Sequence, residues 1–402
     1  MTNPDILIIG AGIIGLSIAR EIQNRYPGTR VLIIDKENGP GRHASGRNSG
    51  VLHSGIYYTA DSLKARFASS GNMAWRDFCR DRGLKIDQCG KLIVPRNQSE
   101  LQLIPVLEQR GRSAGIEIHL VDAKQARDLE SRVKVFEKAL YIPSTATIDP
   151  VQLIQSLESE FLKSGGTIKY KNPFIYRKNE NAVATPGGLI SAGFIVNCAG
   201  LHADKIAYTF GFGGNYAILP FKGLYLYANP DSQMPKTHIY PVPDLKNPFL
   251  GVHFTRTIDG HTKVGPTAVP AFWREHYQGL QGFKWDEFIQ ILGHEAKLAF
   301  SNGNGFRRLA WQEFLKQWQN RLVKDAQTLF NEARKMGFQR WGRPGIRAQL
   351  LDKTTGALEM DFVIKGDEKS IHVLNAVSPA LTCALPFAKH VVDRIVCPGN
   401  GN

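Results

Sequence analysis

Short, unbroken apolar runs open the chain. Residues 5–10, "DILIIG", and 30–35, "RVLIID", show no alternation and read as strands buried on both faces. Between them, "IIGLSIAREIQNRY" places apolar residues at helical spacing. Strand, helix and strand within about thirty residues form a βαβ unit, which implies a parallel sheet. A Gly/Ser/Asn/Arg-rich loop follows over residues 37–55. Helical patterns then cover 61–83, with Asp61 as the expected N-cap, 100–115 and 150–163. "GTIKY" and "GLISAGFIVNCAG" read as strands, the second ending in a small-residue turn.

From 216 to 266 the pattern changes. "AILPFKGLYLYANP", "THIYPVP", "FLGVHFTR" and "HTKVGPTAV" alternate or are rich in aromatics, which predicts an antiparallel sheet. A helical stretch over 285–336, the strands "GIRAQLL" and "SIHVLNA", and a helix beginning near Pro379 complete the chain. The expected architecture is α/β with two interleaved domains. A doubly wound nucleotide domain takes residues 1–88, 140–212 and 340–402. An antiparallel-sheet and helix domain takes 89–139 and 213–339.

Composition changes this picture little. The 402 residues are 43% hydrophobic and 21% charged, as in ordinary globular proteins. The net charge of +14 favours anionic partners, although a solubilising surface accounts for it equally well. Five scattered cysteines without a CxxC pair suggest neither a metal site nor a disulfide framework, and they suit a reducing cytosol. The opening apolar run lacks a basic lead-in, so it is not read as a signal peptide. No apolar segment reaches membrane-spanning length. The expected location is cytoplasmic.

"GAGIIG" puts glycines at 10, 12 and 15. The pattern alone is weak. Here it follows a strand, opens a helix and is answered by Asp35 at the end of the next strand, which makes a dinucleotide fingerprint. Gly10 permits the tight turn, Gly12 lets backbone approach a pyrophosphate, and Gly15 allows close helix–sheet packing. The N–H groups around Ile13 and Ile14 at the helix start would hold the anion, and Asp35 the ribose hydroxyls.

The loop after the second strand separates the nucleotide options. A chain that binds NAD continues briskly into the next βα unit. Here "NGPGRHASGRNSGVLHSGIYY" intervenes, and "GFIVNCAG" later supplies a strand ending in Ala199 and Gly200. Both features resemble the FAD-dependent D-amino-acid oxidase superfamily, whose FAD domain is of Rossmann type. The resemblance implies that Lys36, His43, Ser45, Asn48, Ser49, Gly50 and Val51 run along an FAD, with Ala199 and Gly200 packed at it. His53 would then lie near the flavin ring, where a group titrating near neutrality is useful. Some relatives attach the flavin covalently through a histidine in this loop. His43 is that candidate here, with non-covalent FAD the expectation.

A narrower group is more similar still: the L-2-hydroxyglutarate dehydrogenases or oxidases. "GRHASGRNSGVLHSGIYY", "SLKARFASSG", "YIPSTATIDP", "YPVPDLKNPFLGVHFTRTIDGHTKVGPTAV", "GRPGIRAQLLD" and "IHVLNAVSPALT" carry the resemblance, in order, over nearly the whole chain. The chain departs at Thr267, where the family usually has Asn, and at Pro150, where it has Tyr. Residues 329–344, "LFNEARKMGFQRWGRP", also lack its usual acidic pattern. The resemblance implies FAD-dependent oxidation of L-2-hydroxyglutarate to 2-oxoglutarate. The alternatives are another 2-hydroxy acid, an amino acid or amine, or glycerol 3-phosphate.

Such chemistry needs a base for the hydroxyl proton, groups that hold carboxylates, and positive potential at the flavin pyrimidine edge. His53 and His253 are the candidate bases. Tyr57, Tyr58, Lys222, Tyr240, Thr255 and Arg347 are the candidates for the substrate. His253 and Thr255 share a strand face, while Arg256 points the other way. In "NAVSPALT", Ser378 reads as an N-cap and Pro379 as the first helical residue, so that the helix start with Ala380, Leu381 and Thr382 would face the flavin. Arg347 could lie above the ring.

Residues 306–341 mix Lys and Arg with Trp and Phe on a helical pattern. Two readings compete: a packing helix, or a peripheral contact with an anionic membrane that hands electrons to a quinone. Oxygen and a protein carrier are the other acceptors considered. No nucleic-acid module is recognisable, and no nucleic-acid partner is expected.

Overall fold

The computed structural model describes residues 3–245, 250–301 and 306–395, with the side chains of 301 and 306–310 left aside. The chain forms two compact units. The first comprises Met1–Asn48, Pro150–Pro220 and Arg347–Asn402; the second comprises Ser49–Asp149 and Phe221–Ile346.

The first unit is built on a six-stranded sheet. In spatial order its strands are Val363–Gly366, Ser370–Asn375, Phe194–Asn197, Ile6–Ile9, Val31–Ile34 and Thr167–Lys169. Every pairing is parallel except that of the edge strand Val363–Gly366. The register sets Ile6 between Phe194 and Val31. Both short apolar runs are buried at all four positions, as a parallel sheet covered on both faces requires. The helix Ile13–Arg25 packs on the helices Pro150–Lys163 and Ala380–Val392. Pro150 suits the start of its helix, because its missing N–H has no intrahelical partner there anyway.

The second unit is built on an eight-stranded sheet in the order Arg340–Trp341, Leu226–Tyr227, Thr262–Gly265, His253–Arg256, His238–Pro241, Lys91–Val94, Lys138–Ile142 and His119–Asp122. The expected antiparallel pairing holds except at the centre, where His238–Pro241 and Lys91–Val94 run parallel. One face is apolar: Leu92, Ile239, Phe254 and Val264 pack with Leu322, Phe330, Met336 and Phe338. Much of the 306–341 segment is therefore core, as helix Gln319–Ala326 and the turns after it cover this face.

Three local expectations are corrected. Ser62, not Asp61, caps the helix Leu63–Asp81, its Oγ accepting from the Ala65 N–H at 3.1 Å. The 100–115 helix is two, Gln98–Leu101 and Ile104–Ser113, because Pro105 starts a new helix. Pro379 rather than Ser378 occupies the N-cap of Ala380–Val392. With φ −99° and ψ 49°, Pro379 is not helical, so Ser378 falls outside the cap and Pro379 has no side-chain acceptor to offer.

Residues 49–88 group with the second unit rather than with the nucleotide-type unit. The reason is local pairing. Val51–Leu52 pairs with Ala146–Ile148, which also pairs with Ile86–Asp87. The buried Asn72 donates to the Leu52 carbonyl at 3.0 Å.

Candidate active site

In the first unit the glycine turn has no room for side chains. A Cβ on Gly15 would lie 2.0 Å from the Gly10 carbonyl oxygen, and one on Gly10 would lie 2.5 Å from that of Cys198. Gly10 also adopts φ +113°, which L side chains rarely tolerate. This contact brings the turn against Cys198 and Ala199, just past the neighbouring strand Phe194–Asn197. The loop after the second strand folds back on it: Gly41 N–H donates to the Ala11 carbonyl at 3.0 Å. The Ser45 hydroxyl accepts from Ile13 N–H at the helix start, also at 3.0 Å.

Asp35 is held by backbone on both oxygens, from Ala11 N–H at 2.7 Å and Glu37 N–H at 2.8 Å. Each oxygen keeps capacity for a further donor. His43 contacts Glu37 at 2.9 Å and Lys36 at 3.0 Å. Asn48 donates to the Ser45 carbonyl. The helix Ile13–Arg25 has no acid in its first turn to oppose an anion. A tight turn, a short acceptor and an anion-compatible helix start fit a dinucleotide such as FAD.

In the second unit the sheet face opposite the apolar core is polar yet buried. Strand alternation puts Lys91, His238, Tyr240, His253, Thr255 and Lys263 on it, and each is at most 5% exposed. Register makes them neighbours. Lys91 pairs with His238, and Thr255 with Lys263. The Ile239–Phe254 pairing sets Tyr240 beside His253. Their rings stack at 3.8 Å, and the His53 ring meets the Tyr240 ring edge-on at 6.3 Å. The Lys91 ammonium lies 4.7 Å from the Tyr57 ring centre and 5.2 Å from that of Tyr240.

Burial governs the protonation of this layer. It holds His53 at about 3, with the Lys91 charge adding to the effect. His238 is likewise held well below the usual histidine range, first by burial and then by Lys91, His53 and other cations. Burial lowers Lys91 to about 7 and Lys263 to about 8. It keeps the Tyr57 and Tyr240 hydroxyls protonated. The result is a dry surface of neutral imidazoles, phenols and easily neutralised ammoniums.

The glycine-rich stretch 48–58 supplies part of this layer. Gly50 and Gly55 have φ +75° and +99°. A Cβ on Gly55 would meet the Ala68 Cβ at 2.8 Å, so its helix approaches closely. Ser49 accepts from Val51 N–H, and the Gly50 carbonyl accepts from Ile148 N–H at 2.9 Å. These contacts fix the backbone that carries His53.

Of the candidates read from sequence, His53, Tyr57, Tyr240, His253 and Thr255 come together here. Tyr58 is half-buried, with Lys64 over its ring. Lys222 stands on another strand, half-buried, where Thr267 Oγ1 donates to its carbonyl at 3.1 Å. Arg347, Ala380, Leu381 and Thr382 belong to the first unit. Arg256 points away and pairs with Asp87 at 2.8 Å. Lys91, His238 and Lys263 were missed. Their one signal was parity: Lys91 alternates with Leu92 and Val94 and His238 with Ile239 and Pro241, whereas Lys263 lies between Thr262 and Val264.

Among the described residues, no helix is long and apolar enough to cross a membrane. The sequence matches the family described as FAD dependent oxidoreductase (DAO) over residues 5–394. L-2-hydroxyglutarate dehydrogenase of Escherichia coli (strain UMN026 / ExPEC) is 34% identical over 97% of this chain and 93% of its own length. The mitochondrial enzyme of that name from Homo sapiens is 32% identical, covering 97% and 88%. Among solved structures, L-alpha-glycerophosphate oxidase from Mycoplasma pneumoniae with FAD bound superimposes with a TM-score of 0.76 at 22% identity, covering 98% of this chain and 94% of that one. Fingerprint turn, sheet order and full-length similarity agree, and the chain belongs to the FAD-dependent oxidoreductase family.

Proposed function

We propose that the protein oxidises L-2-hydroxyglutarate to 2-oxoglutarate with FAD as its cofactor. Sequence identity to dehydrogenases of that name along nearly the whole chain carries this reading. The buried polar layer supports it, because a dicarboxylate needs cationic and hydroxyl donors away from water. Gly10, Gly12, Gly15, Asp35, Ser45, Ala199 and Gly200 would hold the cofactor, together with the 36–51 loop and the 378–382 helix start. An FAD held there would supply the acceptor for the hydride from C2.

The chain's own residues must take the hydroxyl proton. His253 is the better placed base. A carbonyl can only accept, so the 3.0 Å contact of Nδ1 with the Gly251 oxygen makes Nδ1 the donor. In the neutral ring this leaves the lone pair on Nε2, and the Tyr240 stack fixes the ring. His53, which burial keeps neutral and which meets the Tyr240 ring edge-on, is the second candidate. Thr255, Tyr240 and Tyr57 offer hydroxyls to the carboxylates, with Lys222, Tyr58 and Arg347 as further candidates.

Anaerobic addition of L-2-hydroxyglutarate to the purified yellow holoenzyme tests the proposal. Bleaching of the flavin is expected. Bleaching only by an amine, an amino acid or glycerol 3-phosphate would overturn it.

The second unit also exposes an apolar surface. Trp285, Ile289, Leu292 and Phe300 form one stripe along the helix Trp285–Ser301, and their exposures run from 43% to 88%. On the following segment Trp311 stacks on Phe314, which meets Trp318 edge-on. Lys284 and Lys297 are exposed nearby. We infer that this surface rests on an anionic membrane, on the cytoplasmic side, where electrons could pass to a quinone.

A further inference from the structure

Lys91 is fully buried and begins a strand at the centre of the second unit's sheet. Its ammonium has no hydrogen-bond partner among the described residues. Among the described residues no acid takes part in its electrostatics, and burial lowers it. Its surroundings are two aromatic faces, Tyr57 and Tyr240, and two neutral imidazoles, His53 and His238. Several nearby hydroxyl and imidazole atoms, Tyr57 Oη, Thr237 Oγ1 and His238 Nε2, are likewise buried without a partner.

A buried cation without a carboxylate is costly, and it is retained where an anion completes it. Cation–π contact with two tyrosines offsets only part of that cost. We propose that Lys91 is the residue that receives a carboxylate of the 2-hydroxy-acid substrate within this polar layer. The assignment rests on the reading of the protein as a 2-hydroxy-acid dehydrogenase. It gives the dry layer its missing charge. The carboxylate pairs with the ammonium, and the surrounding tyrosine hydroxyls donate to its remaining lone pairs.

Burial lowers Lys91 to about 7, so above that pH much of it is neutral. An arriving carboxylate favours the charged form, and binding should draw in a proton. The other groups facing Lys91 are His53, His238, Tyr57 and Tyr240; Arg256 and Lys263 act on the same layer through His238.

The test uses FAD-loaded enzyme and 2-oxoglutarate as the non-reacting probe, with binding followed by the flavin spectrum and by calorimetry in buffers of different ionisation heat. Lys91→Met should keep its flavin and melting temperature yet bind about a hundredfold more weakly, the loss expected for a hydrogen bond to a charged group. Lys91→Arg should recover most of the affinity but lose the proton uptake seen above neutral pH in the wild type. Kinetics should show the loss in KM more than in kcat. Comparing L-2-hydroxyglutarate with its 5-amide then assigns the end: a Lys91→Met loss confined to the dicarboxylate marks the distal carboxylate, an equal loss the C1 carboxylate. Wild-type affinity and proton uptake in Lys91→Met would overturn the assignment. A wild type that neither bleaches with L-2-hydroxyglutarate nor binds 2-oxoglutarate would instead sink the substrate reading, and with it the ligand given to Lys91.

Discussion

Tyr240 and His253 lie ring on ring, with centroids 3.8 Å apart and planes 16° apart. The two residues belong to adjacent antiparallel strands whose register, set by Ile239 opposite Phe254, makes the stack unavoidable. Tyr240 is therefore both a fixed wall for His253 and a neighbour of His53 and Lys91.

If His253 takes the substrate proton, His253→Asn should lower kcat by about 10²–10⁴ with little change in 2-oxoglutarate affinity. His53→Asn should cost less in kcat. Stopped-flow flavin reduction measures both, and the reverse ranking would move the base to His53.

Gly15→Ala puts a methyl 2.0 Å from the backbone oxygen of Gly10. No side-chain rotation relieves a clash with backbone. The variant should purify colourless or not at all, with the flavin absorbance of the isolated protein as the readout.

Phe254 is fully buried on the apolar face, directly behind the polar layer, and packs on Phe330 at 4.9 Å. Phe254→Ala should cost about 3–5 kcal/mol. A drop in melting temperature, with residual activity only in the cold, is the expected outcome.

His53, His238 and His372 are held neutral by burial, His53 at about 3 and His372 at about 4. Unfolded, each would titrate near 6.5, so below that pH the unfolded chain binds more protons than the folded one. The histidine contribution to stability should be full above about 6.5 and fall away steadily as the pH drops toward 4. Thermal melts across that range check the direction, and a melting temperature that stays flat would contradict it.

Trp311→Glu with Trp318→Glu should leave the activity with an artificial acceptor unchanged but weaken sedimentation with anionic vesicles. Both side chains are more than half exposed, so folding has little stake in them. Equal sedimentation of variant and wild type would remove the membrane contact. Of the 306–341 segment that suggested it, part instead proved to be core, with Leu322, Phe330, Met336 and Phe338 buried.

The sequence by itself determined the nucleotide end of this protein. Gly10, Gly12, Gly15 and Asp35 lie within one βαβ unit, where local spacing dictates geometry and a glycine has few other reasons to recur. It also carried the family, because long motifs such as "PFLGVHFT" keep their order. Only the tertiary structure decided the polar layer. Lys91 meets His238 through a parallel pairing between strands far apart in the chain, and no local pattern encodes which distant strand lies alongside. A lysine opening a short strand looks solvated from sequence. It is buried here because other strands and the 53–57 segment close over it, and burial is a property of the assembled sheet.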